Sequence, residues 1–293
     1  MSHKFEEGKD QIIAAVVDKL EKEISPDQAG FCAEFVRQFY ATVAPDDLSE
    51  WSIDDLYGAA VNFWSLIQCR APHEIKIRIY NPDFERHGWQ TTHTVVEVIC
   101  DDMPFLVDSM RLVVNRMGLI SHLIIHMGGI HIVRGKNNEV TAVLPRYGAL
   151  PENALTEAPI LMEIDRQTDP HVLEELYRNF ERILEDNRAV VDDWLPMREK
   201  VREIIQELDN AQLVLDKSEI EETKAFLEWI EDHHFTFLGI RDYELLQKTG
   251  ETILQAIPGT GFGFPDTRNF FINLKTEHFF YLCGNRKMSQ RRC

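Results

Sequence analysis

Apolar side chains near the start of the chain recur every three to four residues. Ile12, Ile13, Val16, Val17, Leu20 and Ile24 trace one helical face, and Ser25 with Pro26 supplies the cap and first-turn proline of a second helix. That helix carries Phe31, Phe35 and Phe39 and should stop near Ala44-Pro45. Ser52, with Asp55 three positions on, resembles a capping box and starts a third helix through Trp64 to about Arg70. Aromatic residues at this spacing read as core packing, not as a cofactor pocket.

After Pro72 the period falls to two. Ile75, Ile77 and Ile79 alternate with Lys76, Arg78 and Tyr80, which predicts a strand exposed on one face. Thr92–Cys100 is a second strand, and Asp101-Asp102-Met103-Pro104 turns the chain into a helix that runs to about Met117, with Gly118 closing it. Leu119–Arg134 reads as one long β segment bulged at Gly128-Gly129. Gly135–Asn138 makes a hairpin turn into Val140–Leu144, and Pro159–Asp165 is a further strand. Val95, Val98, Phe105, Leu106, Met110, Val113, Ile124 and Ile164 are expected to share one core.

Asp169-Pro170 opens a long helix whose Val172, Leu173, Leu176, Phe180, Ile183 and Leu184 face the sheet, and Pro196 is expected to end it. A second helix should reach about Leu215, and a third Lys217–Asp232 behind an Asp216/Ser218 cap. Glu181–Asp232 holds sixteen Asp and Glu against seven Lys and Arg, net −9, half the charge of the chain. The regular apolar spacing within it favours packed, solvated helices over an acidic tail. Phe235–Leu246, Thr252–Ile257, Phe270–Leu274 and Phe279–Leu282 are read as strands.

The order strand, helix, strand, strand, helix predicts an α+β fold on the ferredoxin-like plan. The expected divisions are 1–71, an N-terminal helical segment; 72–195, the ferredoxin-like sandwich; 196–233, an acidic helical linker; and 234–293, an incomplete second β-rich unit.

Composition narrows the function. Forty-nine acidic residues against thirty-one basic ones leave −18 on 293 residues, which repels phosphate backbones and anionic headgroups, so neither nucleic acid nor membrane is expected as a partner. The charged segment Met1–Asp10 lacks the apolar core of a signal peptide, and the five cysteines show no C-x-x-C pair, which points to the cytoplasm.

Chemistry finds little purchase. Gly259-Thr-Gly261-Phe-Gly263 invites a dinucleotide-loop reading, but Phe264-Pro265 follows it where a helix should begin. His122, His126, His131 and the His233-His234 pair lack a thiolate or carboxylate at ligand spacing, and no G-x-S-x-G elbow occurs. No catalytic, cofactor-binding or metal-binding residue is assigned. The one candidate effector or interface loop is Asp101, Asp102, Met103, Pro104, Phe105, Asp108 and Ser109, where a strand end leads to exposed amides at a helix start. An ordinary helix start is the bland reading of the same residues.

The run Asp101–Ser109, followed by Gly118-Leu119 and Leu123–His126, resembles the first ACT-like segment of the large bacterial NAD-specific glutamate dehydrogenases. Phe39–Leu48, Glu163–Arg166, and Phe226–Trp229 with His234–Gly239 agree in the same order, so the likeness extends from about Phe31 to about Tyr243. It implies ACT-like folds for the sandwich and the second unit. It further implies a non-catalytic regulatory and assembly region of an oxidoreductase that converts L-glutamate, NAD and water to 2-oxoglutarate, ammonium and NADH. NAD would belong to the full-length enzyme and not to this chain, and self-association would run through ACT-like sheets. Amino-acid-sensing ACT domains carry a glycine beside the proline of this loop. Phe105 stands there instead, which makes oligomer contacts the expected use over an amino-acid effector. A freestanding amino-acid-binding module is the competing reading. The basic decapeptide Gly284–Cys293, out of character with an acidic chain, is read as the product of a frameshift or early stop, with a flexible natural terminus as the bland alternative.

Overall fold

The computed structural model describes residues 2–210, 216–248, 251–264 and 271–273. The chain divides into two compact units, residues 1–184 and 185–293.

The first unit opens with four helices, α1 (Ser2–Glu23), α2 (Pro26–Ala41), α3 (Pro45–Ser49) and α4 (Ile53–Ile67). Prolines occupy the first turns of α2 and α3, where a missing N–H costs nothing. Ser52 caps α4 as its spacing predicts, its Oγ accepting from the Asp55 amide at 3.1 Å.

The sheet follows: β1 (Lys76–Tyr80), the short helix α5 (Phe84–His87), β2 (Thr94–Asp101), α6 (Leu106–Arg116), β3 (Ser121–His126), β4 (Ile130–Arg134), β5 (Val140–Val143), β6 (Leu155–Ile164) and then α7 (Pro170–Asp192). All its pairings are antiparallel, in the order β1-β2-β6-β4-β5, with β3 also on β6. β6 is the centre. Its one edge carries β2 from Thr94↔Ile164 to Asp101↔Glu157; its other edge carries β3 and then β4 in succession. The expected bulge at Gly128-Gly129 lies where β3 passes into β4: between His126↔Ile160 and Ile130↔Glu157 the chain advances four residues against three of β6, and Gly128, at φ 75°, accommodates the extra residue. In a β-α-β-β-α-β chain the strand beside the first one comes last; here β1, which precedes β2, fills that edge.

Helices cover both faces. Val96, Val98, Cys100, Ile160, Met162 and Ile164 meet Leu106, Met110, Val114, Leu176 and Phe180 of α6 and α7. Val95, Ile99, Leu161, Ile125 and Ile130 meet Val16, Leu20, Phe35, Phe39, Phe63 and Trp64 of the N-terminal helices. The single expected core is thus two: Val95 lies on the face opposite Val98, and Phe105 is 48% exposed and belongs to neither. The polar side of β1 is not open to solvent either. Lys76 Nζ donates to the Leu66 and Cys69 carbonyls at 2.8 and 2.7 Å, and Arg78 to that of Asn62, so cations satisfy the C-terminal end of α4.

In the second unit α7 ends at Asp192, and Pro196 falls in the first turn of α8 (Trp194–Asn210), so it accompanies a helix start instead of ending α7. α9 (Lys217–Trp229) runs into a π-type turn, Ile230–His234. Val190, Met197, Val201, Leu227 and Phe237 form a small core. The expected strand Phe235–Leu246 is two strands, β7 (Gly239–Ile240) and β8 (Tyr243–Lys248). β8 pairs with β9 (Glu251–Ala256), β10 (Phe262–Gly263) with β7, and β11 (Phe271–Asn273) with β9. The end of the helix expected to reach Leu215, the strand expected at Phe279–Leu282 and the basic decapeptide lie outside the described residues. Among the described residues no helix is long and apolar enough to cross a membrane.

Candidate functional site

The Asp101–Ser109 loop grows out of the end of β2, and its root is fixed by buried charge. Asp101 Oδ1 accepts from Arg70 Nη2 at 2.6 Å, and its other oxygen lies 2.9 Å from His73 Nδ1. Arg70, 1% exposed, also donates to the Glu74 carbonyl at 2.7 Å and lies 3.0 Å from Glu157. Glu157 is grasped by Arg134 through Nε at 2.6 Å and Nη2 at 2.7 Å, a two-point contact only a guanidinium provides.

Beyond Asp101 the loop turns outward. The Asp102 amide donates to the Thr156 carbonyl at 3.1 Å, and the Asp102 side chain is exposed above Gly129. A Cβ on Gly129 would stand 2.1 Å from Thr156 Cγ2 and 2.8 Å from Asp102 Oδ2, so only glycine fits there. Met103 packs on the core beneath α6, whereas Pro104 is exposed. Phe105 caps α6 with φ 66° and ψ 9°, in the left-handed region that favours glycine. A phenylalanine thus holds glycine's backbone geometry. Among the described residues no side chain caps α6, and Asp108 in its first turn places negative charge near the exposed amides. The Ser109 amide donates to the Phe105 carbonyl at 2.9 Å, closing the turn.

The candidate residues therefore do not converge on one point. Asp101 points to Arg70, Met103 into the core, and Asp102, Pro104, Phe105 and Asp108 to solvent. Near Asp102, burial lowers the His126 imidazole below its usual range, opposed by the Asp102 charge and by a backbone contact to Pro159.

The other flagged residues separate in the same way. His122 Nε2 lies 2.8 Å from Asp165 Oδ1, and His131 Nδ1 lies 3.2 Å from Thr156 Oγ1. Within the second unit, His234 stacks on Trp229 and His233 packs beside Trp194. No group of three or more His, Cys, Asp or Glu among the described residues could hold a metal ion. The Gly259–Gly263 segment leads into β10, and the Gly263 amide donates to Asp193 Oδ2 at 2.7 Å, which puts a carboxylate at that amide.

Sequence reasoning passed over a row of carboxylates on the side of β2 and β6 that faces the N-terminal helices. Glu97 and Glu157 are 0% exposed and Glu163 is 4% exposed. Burial pushes the Glu97 carboxyl up, opposed by Arg78, whose Nε donates at 2.7 Å, and by the Tyr80 hydroxyl at 2.9 Å. The available signal was carboxylates at inward positions of apolar strands, Val95-Val96-Glu97-Val98 and Leu161-Met162-Glu163-Ile164.

Residues 35–180 match the family model of the glutamate dehydrogenase ACT1 domain. The NAD-specific glutamate dehydrogenase of Halomonas elongata is 35% identical over 260 residues, 88% of this chain and 16% of that protein. That of Pseudomonas aeruginosa is 35% identical over 211 residues, 72% of this chain and 13% of that protein. The chain thus matches less than a fifth of the length of these curated relatives. With the matched segment beginning in α2 and ending in α7, and so holding the whole six-stranded sheet, the chain belongs to the family of the NAD-specific glutamate dehydrogenases, whose ACT1 domain it carries.

Proposed function

We propose that this chain is a regulatory and assembly region of an NAD-dependent glutamate dehydrogenase, and that the conversion of L-glutamate, NAD and water to 2-oxoglutarate, ammonium and NADH is carried by residues other than these. The observation that carries this reading is the loop at the start of α6. Its root is clamped by Arg70, its backbone follows a left-handed path, and the half-exposed Phe105 ring projects from it. Such a loop offers a rigid apolar knob for a contact, not a cleft that closes on an amino acid. The partner we propose is a second copy of this chain. β1 supports the same view, since among the described residues it pairs with β2 alone and leaves its outer edge for a strand of another copy.

Light scattering of the purified chain over a concentration series tests this. Wild type should self-associate, and Phe105→Ser should shift the equilibrium toward monomer. A wild type that stays monomeric at every concentration overturns the assembly reading. A melting shift with an amino acid, of the size set by about 2.7 kcal/mol at a hundredfold excess over its dissociation constant, would favour an effector site. Glutamate and NAD together should yield no NADH.

A further inference from the structure

The second unit carries an outward row of rings. Phe226 and Trp229 stand three positions apart on α9, each 50% exposed, and their rings stack at 6.2 Å between centroids and 17° between planes. His234 returns onto Trp229 at 5.0 Å and 18°, its Nδ1 3.0 Å from the Trp229 carbonyl, after His233 at φ 59° has turned the chain back. The other face of α9 meets the small core through Leu227. Large rings fixed against one another and left half in water form a surface shaped for a contact.

The charge around the row is negative. Glu222, one turn before Phe226, and Asp232, three positions after Trp229, are exposed, and among the described residues neither forms an ion pair. The nearby cations are engaged elsewhere: Lys224 with Asp209, and Arg198 and Arg202 with Glu231.

The chain itself shows what fills such a place. Arg198 lies over the Trp194 ring, 5.0 Å from its centroid, and pairs with Glu231. Arg78 lies over the Tyr80 ring at 5.3 Å and pairs with Glu97. In both, one guanidinium serves a ring and a carboxylate together, which its flat, weakly hydrated charge suits better than an ammonium does. Phe226 and Trp229 beside Glu222 repeat the rings and the carboxylate, and among the described residues no cation lies over either ring.

We propose that the Phe226–Trp229–His234 row is a docking face for an arginine-bearing segment of another protein. Its arginines lie on the exposed parts of the rings with their charge toward Glu222 and Asp232. Two copies of this chain meeting at the row would set the same carboxylates against one another, and phosphate-bearing partners are repelled likewise.

Calorimetric titration of the full chain with a short glycine-arginine peptide, and with its lysine counterpart of equal charge, tests the face. The arginine peptide should bind, and the lysine peptide about threefold or more weaker. Trp229→Ala leaves every charge in place and should weaken the arginine peptide by about fivefold. Glu222→Gln should weaken it as well and lessen its dependence on salt. If Trp229→Ala fails to fold, Phe226→Ala takes its place, and the comparison of the two peptides on wild type decides in any case. Equal affinity of wild type for both peptides, or no saturable binding at millimolar peptide, overturns the proposal. So does a folded Trp229→Ala that binds the arginine peptide like wild type, since the general acidity of the chain would then suffice. A Trp229→Ala that loses self-association in the absence of peptide gives the face to a second copy and overturns it too.

Discussion

Arg134 holds Glu157 at two points, and that carboxylate has no access to water. Arg134→Met should therefore cost about 3–5 kcal/mol in a urea titration, since it strips a buried charge of its principal partner; a loss below about 1 kcal/mol would show that Arg70 suffices. Val98→Asp places a carboxylate at a fully buried position with no cation provided, and several kcal/mol of destabilisation should follow. Asp165 predicts a pH effect. The His122 hydrogen bond holds its folded carboxyl below the ordinary carboxylate range, so its contribution is present above that range and is lost as pH falls through the lowered folded value. Asp165→Asn should accordingly lessen the loss of stability in acid, measured by melting temperature from about pH 5 downward. These residues were only partly legible beforehand. Val95 and Val98 were both recognisable as buried, but they point to opposite faces of β2, and where both faces are apolar the alternation that separates them vanishes. Phe105 looked like core by composition, and no apolar pattern reports the left-handed backbone that turns it outward.

Helix ends and turns show where local chemistry is enough. Ser52→Ala should lower stability by about 1 kcal/mol, through loss of the bond its Oγ accepts from the Asp55 amide. At the start of α6 the order of variants matters more than the size: Phe105→Gly should melt above Phe105→Val, because glycine adopts the left-handed conformation freely and a β-branched residue resists it. Equal melting temperatures would mean the backbone relaxes. The cap at Ser52 and the closing glycine after α6 could be read directly, because each depends on residues within one turn. Pro196 could not, since a proline marks a helix end and a first turn alike, and only the break at Asp193 decides between them. The bulge that divides Ser121–Arg134 into β3 and β4 could be read as well, because the Gly128-Gly129 pair, with Gly128 at positive φ, marks it locally.

At the scale of the whole chain, the α+β class was legible from the change of period after Pro72, whereas two-sided burial was not read from β2 and β6, whose apolar runs are interrupted by Glu97, Glu157 and Glu163. The position of β1 beside β2 was not, because strand order is set by long-range pairing that periodicity does not encode. Chain order has a further consequence at the centre of the sheet. β6 pairs with β2, β3 and β4, yet it is the last of the six strands to be synthesised. Until Ile164 has left the ribosome, β2 has only β1 beside it, β3 lacks its partner, and the N-terminal helices lack much of the sheet they cover. Such non-local closure is slow and leaves apolar strands unprotected in the nascent chain. A chain stopped before Leu155 should stay disordered or aggregate, while one extended through Leu184 should give the dispersed amide spectrum of a folded protein. The interval in which translation crosses residues 155–164 is then when this polypeptide is most exposed to chaperones and to wrong partners.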